Sequence, residues 1–263
     1  MASKYLELTR FDLIGKCMPL FQAGWYMDAS DNRIKAMPGQ DLNAPWVQVR
    51  QNPAKPCLFF HQVQAGCLGY IPTPCLNCYK VVARPRTVVD LFKVLEVQEN
   101  RLLEYFCKCG VETRPTVKYP YGAYWYFNSA ADGLINHRIV KVELHRDVDP
   151  DMEVVLKRGC TEFEQRFGPS DKWQPCPDEA IWQTLIDQYF DVGNWTFLQP
   201  AAVKLFVKRR WIEMAAYQVK DPTYLALTGG APFHFEPVTY HEPRRIYTGV
   251  SSLQPPASSP KGV

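Results

Sequence analysis

The chain has 263 residues, 46 % of them hydrophobic and 13 % aromatic, which is enough apolar material for one sizeable core. A formal charge of +3 is too mild to demand nucleic acid as a partner. No apolar run reaches the roughly 18 residues of a membrane span and no charged-then-apolar leader opens the sequence, so no membrane partner and no secretion are expected.

Residues 1–56 are broken by Gly, Pro, Asn and Asp, with short apolar pieces such as WVQV, and read as an irregular segment of strands and loops packed on a main domain. The main domain is expected over 57–248. Within it YKVVA (79–83) is a β-branched strand, and Thr87 opens a helix with Val88, Leu91, Phe92, Leu95, Leu102 and Phe106 at broadly helical spacing. AYWYFN (123–128) is a second strand. Ser129 opens a helix whose expected apolar face is Leu134, Ile135, Ile139, Val142 and Leu144. MEVVL (152–156) is a third strand and Thr161 starts another helix. Two more helices with Pro in the first turn follow, PDEAIWQTLIDQYF and PAAVKLFVKRRWIEMAAY. The Ser/Pro-rich end, 249–263, reads as a disordered tail. Strand–helix alternation predicts an α/β fold, a parallel or mixed sheet built from βαβ units, with additional C-terminal helices.

Three helix starts carry capping-box spacing: Thr87 with Asp90, Ser129 with Asp132, Thr161 with Glu164. With parallel strands all three turns share the carboxyl edge of the sheet, where open α/β sheets bind ligands. Arg84, Arg86, Ser129, Lys157 and Arg158 would gather there to hold an anion, with Asn128, Cys160 and Glu162 as catalytic candidates. Cys160, beside two cations at a helix start, is placed to ionise as a nucleophile, although most free cysteines are simply small core residues. His137 and His145 are candidate bases.

Nine cysteines without a leader point to reducing cytoplasm and to metal or thiol chemistry rather than disulfides. Cys75 and Cys78 form a C-x2-C turn and Cys107 and Cys109 a C-x-C; a crossover helix would bring both pairs to one corner, opposite Cys160, as a structural zinc site. Cys57, His61 and Cys67 form a looser trio able to replace one ligand. KRRW (208–211), with Trp195 and Phe197 upstream, is either a nucleic-acid grip or a solvated helix face. YPYGAYWYF can stack bases or fill core.

The stretches PCLNCYKVVARPRT, CKCGVETR and LKRGCTEFE together resemble proteins carried by bacteriophages, of the DNA base-hypermodification kind that includes amino acid:DNA transferases. The resemblance spans roughly residues 75 to 173 and assigns no catalytic residue. The expectation is a zinc-stabilised transferase acting on a phosphorylated nucleotide or nucleic-acid base through Cys160. The competing expectation is a non-enzymatic zinc-containing protein that binds nucleic acid or a protein partner.

Overall fold

The computed structural model describes residues 10–36, 45–50, 57–102, 105–191 and 199–233. The chain divides into two compact units, 1–230 and 231–263, and every element named here lies in the first. The expected tail at 249–263 lies outside the described residues.

Among the described residues seven strands and eight α-helices follow in order. They are α1 (Arg10–Gln22), β1 (Trp25–Asp28), β2 (Arg33–Ala36), β3 (Trp46–Arg50), α2 (Cys57–Phe59), α3 (Thr73–Leu76), β4 (Tyr79–Arg84), α4 (Val88–Asn100), β5 (Phe106–Val111), β6 (Tyr121–Phe127), α5 (Ala130–Asp147), β7 (Glu153–Arg158), α6 (Thr161–Phe167), α7 (Glu179–Tyr189) and α8 (Ala201–Met214). α2 runs on as a wider π-helical segment, Phe60–Cys67. No helix among the described residues is long and apolar enough to cross a membrane.

The main sheet has the order β3-β5-β6-β4-β7, and every neighbouring pair is antiparallel. This corrects the expected parallel sheet of βαβ units. The misleading segment is FCKCGV: read as a cysteine corner, it is strand β5, and it pairs with β6 in full register from Phe106↔Tyr126 to Val111↔Tyr121. The antiparallel pair β5–β6 inserts β6 between β4 and β5, and β4 likewise lies between β6 and β7. Each crossover helix, α4 and α5, therefore spans an intervening strand. This is the split β-α-β-β-α-β arrangement of ferredoxin-like folds, extended by β3 along β5.

Antiparallel packing also redistributes the strand ends. Tyr79, at the start of β4, faces Phe127 and Arg158 at the ends of β6 and β7, whereas Arg84 faces Glu153 at the opposite end. The Thr87 turn is thus at one end of the sheet and the Ser129 and Cys160 turns at the other.

Strand alternation sorts the side chains. Val81, Ala83, Cys107, Cys109, Ala123, Trp125, Val154 and Leu156 point to one face and pack against Leu91 and Leu95 of α4, Val140 and Leu144 of α5, and Val207 and Trp211 of α8. The expected apolar face of α5 is largely wrong: Leu144 is buried, but Leu134, Ile135, Ile139 and Val142 are exposed, and Gly133 and Val140 make the contact instead. A second core joins α1 (Leu13, Cys17, Leu20) to Ile34, Phe59, Phe163, Trp182, Ile186 and Phe190. The N-terminal segment is more regular than its pattern, with a helix that runs through Pro19 and a β1–β2 hairpin whose tight turn holds Asn32 at φ 56°.

Candidate active site

The second face of the sheet carries different chemistry. Between the core residues of β4 stands Lys80, and between those of β5 stands Lys108; on β6 the alternates are Tyr124 and Tyr126, in register with Lys108 and Lys80 respectively. Lys108 Nζ lies 4.7 Å from the ring centre of Trp46 and 5.8 Å from that of Tyr124, and Lys80 Nζ lies 5.8 Å from that of Tyr126.

Cys160 reaches this face from just beyond β7. Gly159 makes the turn: its φ of +65° suits glycine, and a Cβ there would lie 2.3 Å from the Trp173 ring. The Gly159 N–H donates to Cys78 O at 2.8 Å and fixes the loop to the start of β4. Cys160 itself, not Thr161, is the N-cap of α6, and its side chain does not cap the helix. Lys80 Nζ donates to Cys160 Sγ at 3.1 Å, and His61, from the π-helical segment, also hydrogen-bonds the sulfur. The His61 ring stacks on Phe163 with centroids 4.3 Å apart. Single π turns within helices often sit at functional sites, and here the π-helical segment aims the imidazole.

These contacts decide the state of the thiol. Burial alone would raise its pKa, but the Lys80 ammonium and the His61 hydrogen bond outweigh burial and bring Cys160 down to about 6. At pH 7 roughly nine in ten such thiols are thiolates. Lys80, itself buried, is held above the ordinary lysine range: burial opposes its charge, and the Cys160 and Cys78 sulfurs more than restore it. A buried ion pair forms, and each partner depends on the other.

Glu162 completes a cluster in which the ligand atoms of His61, Cys160 and Glu162 lie within 4.8 Å of one another. Arg114 Nη1 donates to Glu162 Oε1 at 2.6 Å and the same guanidinium pairs with the buried Glu112. Burial would raise the Glu112 carboxyl, and Arg114 holds it below the ordinary value. Cys160 and His61 open on to a small pocket lined by Phe60, Pro74 and Tyr126 and by Cys57, Cys75 and Cys78. On its other side His61 borders a more open, polar pocket with Glu162, Gln165 and Arg166.

Of the catalytic and anion-binding residues expected from sequence, only Cys160 and Glu162 meet. Asn128 is exposed and Ser129 is spent capping α5, where it accepts from Asp132 N at 3.1 Å. Arg86 is held bidentately by Asp149 at 2.9 and 3.0 Å, and Arg84 belongs to the far end of the sheet. Lys157 pairs with Glu164; Arg158 donates to Leu76 O and Ser170 O at 2.8 and 2.7 Å, as a brace. The expected anion edge is therefore not assembled. His137 and His145 bond the carbonyls of Val154 and Met152, both at 2.9 Å, and pin α5 to β7. Trp211 of KRRW is buried in the core and Lys208, Arg209 and Arg210 face Glu99 and Glu213; Trp195 and Phe197 lie outside the described residues.

The four-cysteine zinc corner is also corrected. Cys107 and Cys109 point into the helix-packed face, with the sheet between them and the pocket that Cys75 and Cys78 line. Cys75 of α3 and Cys78, in the link to β4, are beside Cys160 rather than opposite it. His61, Cys160 and Glu162 offer nitrogen, sulfur and oxygen donors to a metal, but an ammonium 3.1 Å from the sulfur opposes a dication there. Lys80, Lys108 and Arg114 were not singled out from sequence, and His61 was named there only as a possible substitute metal ligand. The signal for the lysines is strand alternation, since each is the lone cation between two apolar core neighbours.

Comparison with known protein families, characterised proteins and solved structures gives no significant match.

Proposed function

We propose that this chain is a cysteine-dependent group-transfer enzyme with Cys160 as its nucleophile and a phosphorylated nucleotide or nucleic-acid base as its substrate. The observation that carries the reading is Cys160 Sγ held between Lys80 Nζ, at 3.1 Å, and His61. A nucleophile within reach of a base, with a carboxylate alongside, is the general plan of covalent catalysis. Lys80 keeps the sulfur ionised, His61 passes protons to leaving and entering groups, and Glu162 steadies the charge around His61.

The sheet face supports the substrate class. Tyr126, Tyr124 and Trp46 alternate with Lys80 and Lys108, and aromatic rings interleaved with cations stack bases while attracting phosphate. For a pyrimidine, Sγ adds to ring carbon C6 as the C5=C6 double bond breaks and its electron pair moves towards the C4 substituent. A proton then joins C5, an incoming amine adds at C4 as the original 4-amino group leaves as ammonia, and loss of the C5 proton with expulsion of Sγ restores the double bond. A phage DNA base is the substrate the sequence resemblance implies, and nine cysteines with no disulfide between them suit a reducing cytoplasm. A binding protein that grips nucleic acid on the same face, with or without zinc, would leave Cys160 idle.

The test is covalent trapping. An oligonucleotide carrying 5-fluorodeoxycytidine should form a denaturant-stable adduct with the wild-type chain and none with Cys160→Ser. Salt-sensitive binding of the oligonucleotide with no adduct, and equal in both proteins, would favour the binding-protein reading.

A further inference from the structure

Lys108 stands on the site face and has no covalent part in the chemistry proposed for Cys160. It stands on β5 between two core cysteines, with its ammonium over the rings of Trp46 and Tyr124 at 4.7 and 5.8 Å. Among the described residues no carboxylate comes within 4.0 Å of Nζ, whereas most other cations near the site have one: Arg114 has Glu112 and Glu162, and Lys157 has Glu164. The charged and titratable groups facing Lys108 are Lys80 from β4, Arg114 beyond β5, Cys160 beyond β7 and Cys57 of α2. A half-buried lysine beside a second cation, with aromatic rings in place of a counter-ion, is the setting that produces nucleophilic amines. Burial first, then the Lys80 ammonium, bring its pKa down to about 8.

A second observation points to what such an amine would meet. Arg84 extends the same face of β4 beyond Val82. Its guanidinium packs over the Tyr119 ring at 5.3 Å, yet its buried Nη1 has no hydrogen-bond partner among the described residues. A buried guanidinium N–H without an acceptor is costly and is the natural donor to an anion entering the face.

We infer that Lys108 is a reactive amine through which this face forms a reversible imine with the carbonyl group of an anionic ligand, whose charge Arg84 receives. The neutral amine nitrogen bonds the carbonyl carbon, and its two protons pass to the carbonyl oxygen, which departs as water. Hydrolysis reverses the step, so no oxidant or reductant is needed. The inference stands apart from the reading of Cys160, because the amine needs no thiolate.

Pyridoxal 5′-phosphate, an aldehyde with a phosphate, is a suitable probe. The full chain is incubated with it at pH 7.5, reduced with sodium borohydride and mapped by peptide mass spectrometry. At that pH about a quarter of an amine titrating near 8 is neutral, against roughly one in a thousand for an ordinary lysine. Lys108 should therefore carry most of the label, in wild type and in Cys160→Ser alike, and pyridoxal without phosphate should label it several-fold less. Arg84→Gln should remove that advantage of the phosphate. Label spread over exposed lysines such as Lys141 and Lys172, with Lys108 unmodified, overturns the inference. Equal labelling by pyridoxal and its phosphate overturns the anionic part of it.

Discussion

Cys107 and Cys160 belong to opposite faces of one sheet, and they have opposite chemistry. Cys107 lies among Trp125, Val47 and the helices, where desolvation pushes its thiol up to about 12 and only a backbone contact and distant cations work against it. Cys160 is partly buried too, but Lys80 and His61 lower it to about 6. Burial is common to both; what differs is whether a cation was buried with the sulfur. The helix-packed face spends its alternation on volume, and the other face spends it on charge. A mutation should consequently damage stability or reactivity according to the face it touches.

The largest expected effect is on the packed face. Trp211→Ala removes a fully buried indole and its hydrogen bond to Pro45 O at 2.6 Å, so unfolding should cost about 3–5 kcal/mol less. Cys160 alkylation in the surviving native protein should stay within about twofold of wild type. Chemical denaturation and iodoacetamide labelling measure the two separately, and a large change in labelling would show that the faces are coupled.

Next in size is the pH dependence of stability. Cys160 titrates near 6 when folded and near 8.5 when unfolded. Between those values the unfolded chain holds the extra proton, so stability rises with pH across this window, by at most about 1.4 kcal/mol per unit, and is lost as pH falls through 6. In Cys160→Ser the rise should vanish. The variant should be close to wild type at pH 5.5 and clearly less stable at pH 8, where buried Lys80 lacks its anion. Equal stability curves for the two proteins would mean that the ion pair is absent in solution.

Much of the architecture was legible because the sequence states local preferences plainly. The helices α4, α5, α7 and α8 and the strands β4, β6 and β7 lie where periodicity puts them, and Thr87 and Ser129 do cap their helices through Asp90 and Asp132. Pairing was not legible. FCKCGV has the alternation of a strand, but two cysteines two apart also suit metal ligation, and choosing the latter hid β5 and with it the antiparallel order. The error spread to the site: Arg84 moved to the far end of the sheet, and Cys75 and Cys78 came to Cys160. Cys160 and Glu162 could be named as candidates because their local turn carries the signal. Lys80 and His61 come from 80 and 99 positions earlier in the chain, and only the fold brings them in.

Lys80→Met tests the origin of the thiolate directly. Methionine keeps the bulk of the stem in strand β4 but removes the ammonium, leaving burial free to raise the Cys160 pKa towards or above the ordinary 8.5. At pH 6.5 the thiolate fraction falls from about three in four to about one in a hundred, and the initial rate of iodoacetamide labelling at Cys160 should drop by tens of fold. The rate at Cys107, already slow, should not move. An unchanged Cys160 rate would assign the lowered pKa to His61 alone.

The smallest effect separates electrostatics from catalysis at Glu162. Its side chain is 47 % exposed and bonds Arg114, which keeps its stronger partner Glu112 when Glu162 is lost. Glu162→Gln should therefore change stability by no more than about 0.5 kcal/mol. Removing a negative charge within 4.8 Å of the sulfur favours the thiolate, so the Cys160 pKa should fall slightly and labelling at pH 5.5 should rise, by about twofold. Adduct formation with the fluorinated oligonucleotide should nevertheless slow if Glu162 steadies His61. Slower labelling and slower adduct formation together would instead mean that Glu162 positions the thiol itself. Faster labelling with slower trapping identifies it as the partner of His61, acting after the sulfur has ionised.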